Sequence, residues 1–171
     1  RPVVLALAFG ELLQLALLAI EQNYAGSPPA LSLIGGFEAV MSPDIVWHVP
    51  GTSVIAGTHR GLEAVNRDFF DRCWETGDGR GSGNQGLDSD YGLKLDVDPL
   101  VALEDGRILV TCKSDARGNN GVPYRNGYCW ICTVRDGKIV ELLEYCDTVM
   151  YETAMFDKRL VPAEQLEPAD A

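Results

Sequence analysis

The chain has 171 residues, enough for one domain whose core needs no covalent staples. Its 14 basic residues against 25 acidic ones leave a net charge of −11, and no basic cluster interrupts it. Nucleic acid and anionic membrane surfaces are disfavoured as partners because the electrostatic term opposes both, whereas a small neutral or cationic ligand suits that charge.

The run Val3–Ile20 is apolar, yet Glu11 and Gln14 stand in its middle and no small-residue cleavage site follows. It reads as neither a membrane span nor a signal peptide. The spacing predicts a buried helix over residues 3–23, stopped by Gly26-Ser27-Pro28-Pro29. The chain opens on Arg1 rather than Met, so upstream residues are expected. A second, short helix is predicted over 31–41, then a turn at Ser42-Pro43-Asp44 and a strand from Ile45 to Val49, ended by Pro50-Gly51. Leu62, Val65, Phe69, Phe70 and Trp74 recur at helical spacing and predict a third helix over 61–75.

The loop at 77–90 carries Gly81-Ser82-Gly83-Asn84-Gln85-Gly86, formally G-x-G-x-x-G. A dinucleotide fingerprint follows a strand and opens a helix. This one does the reverse, so no nucleotide cofactor is expected, and a covering lid is the remaining reading. Four strands are predicted next, at 91–97, 107–114, 126–134 and 138–148, with hairpin turns at Glu104-Asp105-Gly106 and Arg135-Asp136-Gly137. Residues 157–171 form an acidic tail after a single domain spanning 1–156. The order predicts an α+β design, with helices covering one face of a curved antiparallel sheet and enclosing a pocket. The open outer face of such a sheet leads us to expect a homodimer.

Five cysteines cannot all pair, and Cys129 and Cys132 form C-x-x-C inside a strand, where they face opposite sides. Reduced thiols in a cytoplasmic protein are expected, with neither metal nor redox use and no cofactor. On the last strand, Val140, Leu142, Glu144, Cys146 and Thr148 share a face. Glu144 thus stands on the less charged side, where a carboxylate is costly unless paired or protonated, which marks it as a binding or proton-transfer group. His48 shares a strand face with Val46 and Pro50, alternates with Trp47, and is placed as its acid–base partner. His59 is placed at the rim. Asn126, Tyr128 and Trp130 share another face, forming an aromatic wall whose amide and phenol suit a developing oxyanion. Phe70 and Trp74 close the pocket from the third helix.

Four stretches occur in order: Asp44-Ile-Val-Trp-His-Val-Pro-Gly51, Gly57-Thr-His-Arg-Gly61, Asp136-Gly-Lys-Ile-Val140 and Glu144-Tyr-Cys-Asp147. Together they resemble the SnoaL-like group of the nuclear transport factor 2-like superfamily, over roughly Leu12 to Asp147. The resemblance implies a cone-shaped α+β barrel with three N-terminal helices on the curved sheet. It makes His48 the nearest match to the general base of ketosteroid isomerases, although helix 3–23 supplies no oxyanion tyrosine. It aligns Glu144-Tyr-Cys-Asp147 with the Asp-Tyr-x-Asp motif of limonene epoxide hydrolases, which brings in Asp147, and leaves Lys113–Asp115 to match their Arg-x-Asp strand. The expected function is cofactor-independent acid–base chemistry on a small hydrophobic substrate, polyketide-, terpenoid- or steroid-like, by isomerisation, cyclisation or dehydration. Trp47, Phe70, Trp74, Trp130 and Asp147 would bind that substrate, while His48, Glu144, Tyr128 and Asn126 would act on it. The alternatives are epoxide hydrolysis or non-catalytic ligand binding.

Overall fold

In the computed structural model, the described residues are 39–74 and 86–162. The helix expected at 3–23, most of that at 31–41, the Gly-rich segment through residue 85 and the tail beyond 162 lie outside them.

β1 runs Met41–Val49 and buries Met41, Ile45, Trp47 and Val49 on one face. It begins four residues earlier than the sequence suggested. Met41 pairs with Ile139 but Val46 with Glu141, so β1 carries extra residues around Pro43, which cannot donate to a ladder. The Ser-Pro-Asp stretch is therefore a bulge within the strand rather than a turn before it. β2 (Gly57–Arg60), a strand not predicted from the sequence, folds back antiparallel on β1.

Gly61, at φ +83, then turns the chain into α1 (Leu62–Val65), a π-helical turn (Asn66–Phe70) and α2 (Asp71–Trp74). This continuous helical stretch presents Val65, Phe69, Phe70 and Cys73 to the core. π turns of this kind recur beside functional sites.

β3 (Lys94–Val97), β4 (Val101–Ala102), β5 (Ile108–Arg117), β6 (Pro123–Tyr124), β7 (Gly127–Arg135) and β8 (Lys138–Cys146) complete an eight-stranded curled sheet. Its main path is β2-β1-β8-β7-β5-β3. Every pairing is antiparallel except β1 with β8. The sheet is thus mixed where an antiparallel one was expected, because the first strand docks on the last. The architecture is the cone-like α+β half-barrel anticipated from the motifs.

Between β7 and β8 the register slips: Thr133 faces Glu141 but Val134 faces Ile139. The skipped Val140 resets the alternation, so Ile139 and Leu142 both point inward. After Cys146 the chain enters α3 (Thr148–Ala154), where the sequence suggested continued strand. Asp147 caps it, its Oδ1 accepting from Val149 N at 2.9 Å. The core gathers the inward faces of β1, β5, β7 and β8 against Phe69, Phe70, Tyr151 and Phe156. Among the described residues, no helix is long and apolar enough to cross a membrane.

Candidate active site

Glu144 lies under the concave face of the sheet and is 1% exposed. Alternation on β8 turns it inward beside Leu142, opposite Trp130 on β7. Both oxygens are held. Trp47 Nε1 donates to Oε2 at 3.1 Å, and the Tyr151 hydroxyl donates to Oε1 at 3.2 Å. Burial raises the carboxyl to about 7, while hydrogen bonds from Tyr151, Cys146, Trp130 and Trp47 oppose that rise. The group thus exchanges its proton near neutrality, the range that suits an acid–base catalyst.

The carboxyl faces a cavity of about 40 Å³ lined by Trp47, Phe69, Phe70, Leu95, Tyr128, Trp130 and Tyr151. Trp47, Phe69 and Phe70 pack together with ring centroids 4.8–5.4 Å apart, and Tyr128 and Trp130 stack at 5.4 Å. A polar chain lies behind this wall. The Tyr124 and Tyr128 hydroxyls are 2.6 Å apart, and Asn126 Nδ2 donates to the Tyr124 hydroxyl at 3.0 Å. Burial lifts all three phenols, Tyr124, Tyr128 and Tyr151, well above the usual tyrosine range. They remain neutral donors and acceptors at physiological pH.

Residues 34–142 match the SnoaL-like domain family. The chain belongs to that family. Solved structures of the same fold include Bal32a from a soil-derived mobile gene cassette, at 20% identity and TM-score 0.60 over 88% of this chain and 98% of that one. An NTF2-like protein of unknown function from Burkholderia pseudomallei matches at 14% identity and TM-score 0.60, over 86% of this chain and 97% of that one. TerC, co-crystallised with polyporic acid, matches at 19% identity and TM-score 0.57, over 85% and 98%. No curated protein sequence matches the chain significantly.

In this SnoaL-like chain, five of the residues singled out from sequence meet at the cavity: Trp47, Phe70, Tyr128, Trp130 and Glu144. His48 does not join them. Trp47 takes the inward face of β1, so His48 points to the outer face, bonded to Thr58 Oγ1 at 3.0 Å and Glu141 Oε1 at 3.3 Å. The expected coupling of His48 to Glu144 is corrected accordingly, because a sheet separates them.

Asn126 is buried but works as a clip: its Nδ2 donates to Asp147 O and its Oδ1 accepts from Asp147 N, each at 3.0 Å. Asp147 is a helix cap and Trp74 is half-buried at the end of α2; neither is among the residues that line the cavity. His59 lies on β2 and bonds Ile55 O at 3.0 Å.

Sequence reasoning missed Phe69, Leu95 and, above all, Tyr151. The available signal for Tyr151 was Asp147 followed by a short helical run, a capping pattern that sets Tyr151 four residues on. Lys113 and Asp115 sit at the outward positions of β5, with Ser114 buried between them. Asp115 instead accepts from the Tyr91 hydroxyl at 3.2 Å and from Arg125 Nε at 3.4 Å. The match to an epoxide hydrolase's Arg-x-Asp strand therefore places no partner beside Glu144. Cys129 and Cys132 fall on opposite faces, and burial pushes the Cys132 thiol up to about 12. Among the described residues, no group of three His, Cys, Asp or Glu side chains could hold a metal ion.

Proposed function

We propose that this SnoaL-like chain is a cofactor-independent acid–base enzyme that moves a proton within a small, largely apolar substrate, giving isomerisation, cyclisation or dehydration. One observation carries the reading: a buried carboxyl in an aromatic pocket, held at both oxygens and titrating near 7. An ordinary structural carboxylate does not need that environment, and a proton carrier does.

Glu144 takes the role of base when ionised and acid when protonated, so one group serves both halves of a proton shift. Tyr128 supplies the neutral donor. Asn126 donates to Tyr124, and Tyr124 donating to Tyr128 leaves the Tyr128 hydrogen for an enolate oxygen in the cavity. His48 has no part, since it faces away.

The test is hydrogen–deuterium exchange at carbon, followed by NMR in D₂O over a panel of small enolisable ketones, for wild type and Glu144→Gln. Wild type is expected to exchange the α-hydrogens and the variant to lose roughly 10²-fold or more of that rate. Equal rates for the two proteins across the panel would remove Glu144 from the chemistry and leave a ligand-binding module.

A further inference from the structure

Six of the eight residues around the cavity are aromatic: Trp47, Phe69, Phe70, Tyr128, Trp130 and Tyr151. The remaining two are Leu95 and Glu144. Among the described residues, no Lys, Arg or His lines the space, so the acid has no counter-charge there. The donors of Trp47 and Tyr151 are already directed at its oxygens.

We propose that this pocket is built to receive a small alkylammonium group, so that the ligand of the site carries a cationic nitrogen. Ring faces attract cations through their quadrupole, and a ring-lined box closed by one carboxylate is how proteins recognise methylated ammonium ions. A buried carboxylate held only by neutral donors still lacks a counter-charge, and an entering cation supplies it.

Size points the same way. A space of about 40 Å³ holds roughly three water-sized spheres, at about 10–15 Å³ each. It accepts a head group of two or three heavy atoms, whereas a ring requires the walls to part. The net charge of −11 also raises the local concentration of cations over anions. The inference rests on the reading of the Glu144 pocket as the working site, and it adds the class of group that enters.

The experiment uses the indole N–H resonance of Trp47, whose proton points at Glu144 and so reports its charge and occupancy. The full chain is titrated at about pH 8, where the carboxyl is ionised, with methylammonium. Methanol, of equal heavy-atom count, is the neutral control, and sodium chloride matches the ionic strength. Methylammonium is expected to shift the resonance saturably, with a midpoint on the order of 10 mM, the ceiling for so small a ligand. Methanol and sodium should leave it in place. Glu144→Gln should weaken the methylammonium midpoint at least about tenfold, and the wild-type comparison stands even if that variant folds poorly.

A methanol shift equal to the methylammonium shift, or no shift with either, overturns the proposal. Its fate is separable from that of the enzymatic reading. Ketone exchange that depends on Glu144 without methylammonium binding removes the cation and keeps the proton transfer. Methylammonium binding without such exchange keeps the cationic ligand in a binding module.

Discussion

The Trp47 indole donates to Oε2 of Glu144 at 3.1 Å across the parallel seam between β1 and β8, joining positions 97 apart in the chain. The bond fixes which way the carboxyl points. Tyr151, from the helix that follows β8, grips the other oxygen. The acid is thereby oriented by three separate elements, each of which can be altered on its own.

Glu144 should impose a pH dependence on folding. Its ordinary value of 4.5 is raised to about 7 in the fold, so the native state holds a proton that the unfolded chain has released. Stability is then full below about pH 4.5 and declines as pH rises to about 7, by at most about 3 kcal/mol. In Glu144→Gln that decline should vanish. Urea midpoints at pH 4.5 and 7.5 for the two proteins measure it, and identical slopes would refute it.

Removing either donor should push the carboxyl higher still. Tyr151→Phe keeps the ring and deletes one hydrogen bond that favours the ionised form, while Trp47→Phe deletes another and also replaces the indole by a smaller ring. The alkaline-going limb of the exchange-rate profile should move to higher pH in both. The move should be larger for Tyr151→Phe, since Tyr151 opposes the burial effect most. A profile unmoved in either variant would mean that another group sets the limb.

His48→Ala should leave the rate and its pH profile at wild-type values. The imidazole sits on the outer face with Thr58 and the exposed Glu141, and its loss should cost less than about 1 kcal/mol. A tenfold fall in rate with unchanged stability would restore His48 to the site.

Asn126→Ala should unfold the chain more readily without touching the cavity wall itself. Its amide makes a two-way clip to the Asp147 backbone and a bond to Tyr124, all buried or nearly so. Stranding those partners should cost roughly 1–3 kcal/mol, read as a lower thermal midpoint. A variant as stable as wild type would show that the start of α3 is held by other contacts.

The meander was legible because its strands alternate cleanly and two Asp-Gly turns separate them. The same alternation exposed Glu144, an acid among Leu142 and Val140. It was misapplied at β1. There the odd positions Met41, Ile45, Trp47 and Val49 are all apolar, and they take the inside, leaving His48 out. Motif resemblance pulled the histidine inward against that pattern.

Other features leave little trace in local sequence. A Pro inside a strand reads as a break, yet the bulge around Pro43 absorbs it. The parallel seam pairs residues far apart, and no local pattern announces such a partner. The skipped Val140 shifts parity by one, which alternation alone cannot foresee. Tyr151 was hidden because Asp147 was assigned to the strand rather than to the cap of the next helix.

The seam between β1 and β8 also sets an order of events at the ribosome. β1 leaves the exit tunnel with Met41, Ile45, Trp47 and Val49 in search of cover, long before its parallel neighbour is made. Closing so long a loop is slow, and an uncovered apolar strand waiting for its mate invites association with other chains. The pocket cannot exist until Glu144 and Tyr151 have both been made, long after Trp47. A nascent chain stalled before residue 138 would carry both phenylalanines and the Trp47 ring but no acid for them to surround. Chaperone demand during translation, rather than the stability of the finished molecule, is then where this topology exacts its toll.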